Sequence, residues 1–256
     1  MLSVDLNCDL GEGMPHDADL MPLISSANIA CGGHAGDDDS MRRTVELALK
    51  YNVVIGAHPS YPDKENFGRK DLIDISIRAA DLAEILLSQV NKLENICAEF
   101  GASLHHIKPH GALYNRAAWD GLVSSHICVS LLAINPKLFL YGLSGSKMKV
   151  AAESVNIKFI SEVFADRTYQ DDGSLTPRQE ANSLIENDEQ ALQQSLQMIK
   201  EGYVTSLSGK KVAIEAQTIC LHGDGSHALS FANGIRTRLL NEGIGIKAPE
   251  LASTKT

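Results

Sequence analysis

Ser26-Ala27-Asn28-Ile29-Ala30 runs into Cys31-Gly32-Gly33-His34-Ala35-Gly36-Asp37: a short apolar segment stops on a glycine-rich cluster carrying Cys, His and Asp. The same break recurs along the chain. Val4-Asp5-Leu6-Asn7 meets Cys8-Asp9-Leu10-Gly11-Glu12-Gly13, and Val53-Val54-Ile55-Gly56-Ala57 meets His58-Pro59-Ser60-Tyr61-Pro62. Leu104-His105-His106-Ile107 meets Lys108-Pro109-His110-Gly111. Phe159-Ile160-Ser161-Glu162-Val163 leads to Phe164-Ala165-Asp166-Arg167, and Thr218-Ile219-Cys220-Leu221 to His222-Gly223-Asp224. Strands do not need such residues at their ends, whereas parallel strands closed into a barrel deliver the residues at their C-terminal ends to one mouth. Four of the nine histidines, His34, His58, His110 and His222, fall at these stops, which marks the chain as an enzyme.

Helical periodicity fills the gaps. Over residues 71–101, Ala79, Ala83, Leu86, Val90, Leu93, Cys97 and Phe100 recur at steps of four and three, and Gly101 ends the pattern. A second helix is predicted over 39–51, capped by Asp37, Asp38 or Asp39, with Met41, Val45 and Ala48 facing inward. A third is predicted over 227–241, where Phe231, Ile235 and Leu239 form the stripe and Gly243 marks the stop. Strands are expected at 3–7, 27–30, 53–57, 104–108, 137–142, 158–164 and 216–221, about seven βα units. The reading is an α/β chain forming a TIM-like (β/α) barrel of about seven parallel strands, with an open doubly wound sheet as the alternative. One domain is expected over 1–256, with a loose tail from 245 to 256.

Composition narrows the function. With 44% hydrophobic and 21% charged residues, the chain of 256 residues has the makeup of a soluble globular protein. A formal charge of -9 without a Lys/Arg cluster argues against nucleic acid, and no apolar run suits a membrane span. Five cysteines with no CxxC pair suggest neither a disulfide framework nor a zinc knuckle, and fit the cytoplasm. Gly11-Glu12-Gly13 lacks the third glycine of a dinucleotide site. Gly145-Ser146-Lys147 lacks the upstream glycine of a P-loop, and residues 142–146 lack the last glycine of a nucleophile elbow.

Asp5, Asn7 and Asp9 share one face of an extended strand, and Gly11 and Gly13 let Glu12 turn toward the same mouth. His34 sits in a turn whose helix start leaves backbone N–H groups for an anion. His58 follows its strand directly, and Arg69 and Lys70 downstream offer cations. Lys108 and His110 emerge together, with Lys108 placed to hold negative charge; of His105 and His106 just before them, only one should point inward. Asp166 and Arg167 are either an ion pair or ligand groups, and His222, Asp224 and a capping Ser226 close the series. Asp5 or Asp9 with His34, His58, His110 and His222 could hold a divalent metal, although no HxH or HExxH spacing singles out a ligand set.

These stretches, DLNCDLGEG (5–13), SSANIACGGHAGD (25–37), IGAHPSYPD (55–63) with FGR (67–69), KPHGALYN (108–115), EVFADRTY (162–169) with DGSL (172–175), and HGD (222–224), resemble the LamB/YcsF family from residue 4 to about 242. Gly33 stands where many relatives carry an aromatic, a departure expected to widen the pocket. The resemblance implies a seven-unit barrel related to the glycoside hydrolase/deacetylase superfamily. It also implies work as an A subunit that, with B and C partners, opens the lactam ring of 5-oxoproline to glutamate while ATP is hydrolysed.

Under that resemblance, Asp9 or Glu12 is the general base, Lys108 and His110 steady phosphoryl oxygens, and His34 or His58 protonates the leaving nitrogen. Arg69 or Arg167 clamps the substrate carboxylate, with Asn7, Asp166, His222 and Asp224 as further binding residues. ATP, lacking a P-loop here, would bind at the level of the complex. Two alternatives stand beside this reading: a metal-dependent amidohydrolase or deacetylase, and a non-catalytic substrate-binding subunit.

Overall fold

A computed structural model describes residues 2–221 and 228–251. Its strands are β1 (Ser3–Leu10), β2 (Ser26–Ala30), β3 (Val54–His58), β4 (Leu104–Ile107), β5 (Phe139–Leu143), β6 (Phe159–Phe164), β7 (Tyr203–Thr205), β8 (Lys211–Ala213), β9 (Thr218–Leu221) and β10 (Gly245–Ile246). Strands β1 to β6 follow one another in space, β9 follows β6, and β9 pairs back onto β1 from Asp5↔Thr218 to Cys8↔Leu221. All these pairings are parallel, so the seven strands form a closed barrel and not an open sheet. Strands β7 and β8 make a separate antiparallel hairpin.

The helices are α1 (Asp17–Leu20), α2 (Asp38–Tyr51), α3 (Leu82–Glu99), α4 (Gly111–Trp119), α5 (Gly121–Ile134), α6 (Lys147–Ser154), α7 (Asp188–Glu201) and α8 (Ala228–Asn241). Asp37 caps α2 through a reciprocal box with Ser40, and Met41, Val45 and Ala48 are buried as their spacing required. Helix α3 is shorter than its pattern predicted. The Asp71 carboxylate accepts from Ile73 N and from the Tyr61 hydroxyl, and Asp74 takes a left-handed φ of 64°. A side chain that satisfies local backbone donors in this way competes with helix formation, so residues 71–78 form a loop, and a single 3₁₀ turn (Ala79–Asp81) precedes α3. Among the described residues, no single helix is long and apolar enough to cross a membrane.

The tail expected to be loose from 245 is held where it is described. Strand β10 adds in parallel to the start of β1, Lys247 N donates to Val4 O, and Pro249 O accepts from His105 Nε2. Residues 252–256 lie outside the described residues.

Side-chain alternation sends Leu6, Cys8 and Leu10 to the apolar layer beneath the helices and Asp5, Asn7 and Asp9 into the barrel. The interior is therefore unusually polar, and hydrogen bonds replace apolar packing. At its floor, Asp5 accepts from four hydroxyls, those of Ser25, Ser26, Tyr141 and Thr218, at 2.5–3.0 Å. Burial pushes the Asp5 pKa up, and these donors hold it back only in part. Above it, His106 donates through Nε2 to Asn28 Oδ1 at 2.7 Å and stacks on Tyr141 at 4.0 Å.

The histidine pair departs from the expected alternation. An irregularity in the β3–β4 register places His106 opposite Gly56, one residue further along than Leu104 opposite Ile55 would give. Both imidazoles are consequently buried, with their Nδ1 atoms 3.0 Å apart. A Cβ on Gly56 would lie 2.1 Å from the His106 ring, so only glycine admits it. Gly56→Ala should cost about 2–3 kcal/mol in urea unfolding, the upper part of the range for forcing volume into a packed core. Gly121→Ala, which meets no atom within 4 Å, should stay within about 1 kcal/mol of the parent. Equal stabilities for the two variants would contradict the packing described.

Candidate active site

Lys108, directly after β4, extends its side chain across the barrel. Its ammonium lies 2.9 Å from Asp9 Oδ1, 2.9 Å from Glu162 Oε1 and 3.2 Å from both Asn7 Oδ1 and Cys220 Sγ. Burial alone would depress the Lys108 pKa, but the Asp9 charge, with Cys220 and Glu162, holds it well above the usual lysine value. The charge of Lys108 is thus already matched by two carboxylates; it orients them and is not a loose anion holder. Asn28 Nδ2 donates to Asp9 Oδ1 at 2.8 Å, so a cation and an amide aim Asp9 at the mouth.

Beside Asp9 three imidazoles and a carboxylate converge. His58 Nδ1 donates to Lys108 O at 2.7 Å, and His110 Nε2 donates to Phe67 O at 3.0 Å. With those protons assigned, His58 Nε2 and His110 Nδ1 face each other at 2.9 Å. His34 stacks on His110 at 3.6 Å and brings its Nε2 to 2.8 Å from Glu12 Oε1. Gly11, at φ 74°, turns the chain after β1 and so returns Glu12 to this group. The four ligand atoms lie within 4.8 Å of one another.

Electrostatics keep two of these rings uncharged. Burial, then the neighbouring His58, lowers the His34 pKa to about 3; burial, then His58 and His34, lowers that of His110 to about 2. Both rings are neutral and offer lone pairs. Burial also pulls His58 down, but the charge and hydrogen bond of Asp9 outweigh it and leave its pKa raised. Two facing ring nitrogens with outward lone pairs repel unless a proton or a metal ion lies between them. A backbone carbonyl on the far nitrogen of each ring is the arrangement that fixes metal-ligating histidines. His34 Nδ1 is buried with no partner among the described residues. The donor set, three nitrogens and one carboxylate oxygen, fits a divalent ion of the zinc type.

A cavity of about 580 Å³ opens over this group, lined on one side by Asp9, Glu12, His58, Lys108 and His110, and elsewhere by Arg69, Ser146, Arg167 and Arg178. A separate hollow of about 640 Å³ lies against α7 and the β7–β8 hairpin. Of its charged residues, Lys200 and Arg238 both pair with Glu242, and Glu201 is exposed on α7, so the chemistry is concentrated in the barrel mouth.

The structure brings Asp9, Glu12, His34, His58, Lys108 and His110 together, with Arg69 and Arg167 on the cavity wall. Other expectations change. Asp5 is on the floor, its carboxylate taken by hydroxyls, so it is no part of the metal-ligand group. Asn7 lies beneath the cavity, with its amide shared among Glu162, Thr218, Asn28 and Lys108. Asp166 does not line the cavity and makes no ion pair with Arg167, whose guanidinium instead donates to Ser183 O and Thr176 O. The start of α2 is closed by Asp37 and is not open to an anion. Gly33 does not widen the pocket, because a Cβ there would lie 2.4 Å from Gln89 Oε1 and 2.5 Å from Ser60 Oγ. His222, Asp224 and Ser226 lie outside the described residues.

Glu162, Asn28, Tyr141 and Cys220 were not foreseen. Glu162 left a signal, an acid on the inward parity of β6 between Ile160 and Phe164, as did Asn28, a polar residue in the middle of β2.

Comparison with known proteins identifies the family and the fold. The chain is 49% identical over 256 residues to the A subunit of 5-oxoprolinase from Bacillus cereus (strain AH187), covering 98% of this chain and 100% of that protein. It superposes with a TM-score of 0.90 on the crystal structure of a lactam utilization protein from Thermus thermophilus, 35% identical, covering 97% and 100% of the two chains. The catalytic domain of a peptidoglycan N-acetylglucosamine deacetylase from Eubacterium rectale ATCC 33656 shares the fold alone, with a TM-score of 0.52 at 11% identity over 98% of this chain and 89% of that one. The LamB/YcsF family model matches residues 4–254, and the chain belongs to the LamB/YcsF family.

Proposed function

We propose that this chain is the A subunit of an ATP-dependent 5-oxoprolinase and that, with B and C partner subunits, it opens the lactam of 5-oxoproline to glutamate. The observation that carries the reading is the convergence, at one barrel mouth, of an oriented carboxylate with a cluster of three imidazoles. The name its relatives carry, that of the 5-oxoprolinase A subunit, supports it.

A five-membered lactam is a resonance-stabilised amide with little ring strain, so attack by water is slow. Phosphorylation of the lactam oxygen makes the ring carbon a better electrophile, which gives ATP its role. One water opens the ring and a second releases phosphate, so the products are glutamate, ADP and phosphate. The sequence has no P-loop, and nucleotide binding is assigned to the complex.

In this chain Asp9 takes the proton from the attacking water. Lys108 and Asn28 hold its Oδ1, which leaves Oδ2, 3.3 Å from His58 Nε2, as the oxygen on the imidazole side. The new bond joins the water oxygen to the ring carbon. The carbon–nitrogen bond breaks, and Asp9 returns its proton to the departing nitrogen. Glu12, His34, His58 and His110 are the residues that would hold a divalent ion, and His34 and His58 are therefore not assigned as proton donors. Such an ion would polarise the carbonyl and bound water. The five cysteines are free and buried, and we assign the chain to the reducing cytoplasm.

The function is tested by co-purifying the chain with candidate partners and following ATP-dependent release of glutamate from 5-oxoproline; no release by a stoichiometric complex would refute it. Asp9→Asn should lower kcat by about 10²–10⁴ while the protein remains folded. Undiminished turnover in that variant would instead favour a non-catalytic binding subunit. Elemental analysis should find about one divalent ion per chain, lost on chelation together with ring opening and regained on adding it back. Full activity after exhaustive chelation would remove the ion from the account.

A further inference from the structure

Arg167 is only 5% exposed, yet among the described residues its guanidinium is held by carbonyls and by no carboxylate. Its Nε and Nη2 donate to the carbonyls of Ser183 and Thr176, which fixes the guanidinium plane without neutralising its charge. Burial, then the like charge of Arg178, lowers its pKa from the ordinary arginine value. The charge of Asp166 acts against that burial only in part, and buried charges are ordinarily paired, so among the described residues this fixed guanidinium facing the cavity has no carboxylate in direct contact with it.

A second group in the same cavity lacks its partner independently. Ser146 is the N-cap residue of α6, in extended geometry (φ -74°, ψ 167°), where a serine hydroxyl usually caps the first turn. Its hydroxyl makes no cap and has no hydrogen-bond partner among the described residues, although the residue is only 6% exposed. Ser146, Arg167 and Arg178 line the cavity that holds Asp9 and His58.

We infer that Arg167 and Ser146, with Arg178 beside them, form an oxyanion subsite for the carboxylate of the lactam acid. The subsite makes the enzyme select lactams bearing an acid group, and Ser146 joins the substrate-binding residues. Arg69 at the same cavity is not needed for it. The inference rests on the lactam-opening reading for the identity of the ligand, and its test is a binding measurement that stands apart from turnover.

The full-length chain is titrated calorimetrically with 5-oxoproline, with the same five-membered lactam lacking its carboxylate, and with inorganic phosphate. Charge-assisted hydrogen bonds predict that Arg167→Met weakens 5-oxoproline at least about tenfold, and that Ser146→Ala weakens it several-fold at unchanged melting temperature. The carboxylate-free lactam should bind the parent far more weakly and be indifferent to both changes. If Arg167→Met does not fold, Ser146→Ala decides.

The inference is overturned if the parent does not bind 5-oxoproline, if both variants bind it like the parent, or if the two lactams bind equally. Phosphate binding that is lost in Arg167→Met while 5-oxoproline binding persists would reassign the subsite to a phosphoryl group and overturn the carboxylate. Selective 5-oxoproline binding without ring opening by the complex would sink the proposed function and leave the subsite standing.

Discussion

The ammonium of Lys108, buried between the carboxylates of Asp9 and Glu162, is the interaction on which the rest of the site depends. It joins β1, β4 and β6 through the inside of the barrel, where an apolar protein would use packed aliphatic layers. Two carboxylates at this depth would be untenable without it: losing one partner of a buried pair costs about 3–5 kcal/mol. The main-chain carbonyl of the same residue sets the tautomer of His58. One lysine therefore organises both the acid and the imidazole group.

Below that layer the barrel continues as a column of satisfied polar groups. Asp5 is surrounded by hydroxyls, Asn28 links Asp9 to His106, and Tyr141 closes the column by stacking on His106 while donating to Asp5. Such a network is rigid when every member is paired, and costly when one is missing. It fixes the rotamers of the mouth residues from beneath, so little ordering remains to occur when a ligand arrives. Two of the groups that lack partners among the described residues, His34 Nδ1 and the Ser146 hydroxyl, are close to the mouth, where a ligand enters.

Much of this was legible in the sequence because strand ends are where a barrel exposes its chemistry. The abrupt stops at Asp9, His34, His58 and Lys108 identified both the mouth and its occupants, and strand–helix alternation favoured a parallel barrel over an open sheet, a choice the pairing of β9 onto β1 decides. What alternation could not tell was depth. Asp5, Asn7 and Asp9 share a face, yet the four residues from Asp5 to Asp9 separate floor from mouth, and of the three only Asp9 lines the cavity. Nor does a sequence show register: the irregularity opposite Gly56 buries both His105 and His106. The Asp166-Arg167 neighbours suggested a pair because adjacency in the chain is easily mistaken for contact, whereas the guanidinium turns to two carbonyls further along the chain.

The central claim, that a single mouth both recognises and opens a lactam acid, is tested most directly by a crystal structure of the full chain with 5-oxoproline bound. The account predicts the ring carbonyl beside Asp9 and the Glu12, His34, His58 and His110 group, and the carboxylate against Arg167 and Ser146. A ligand seated in the hollow against α7, with the barrel mouth empty, would contradict it.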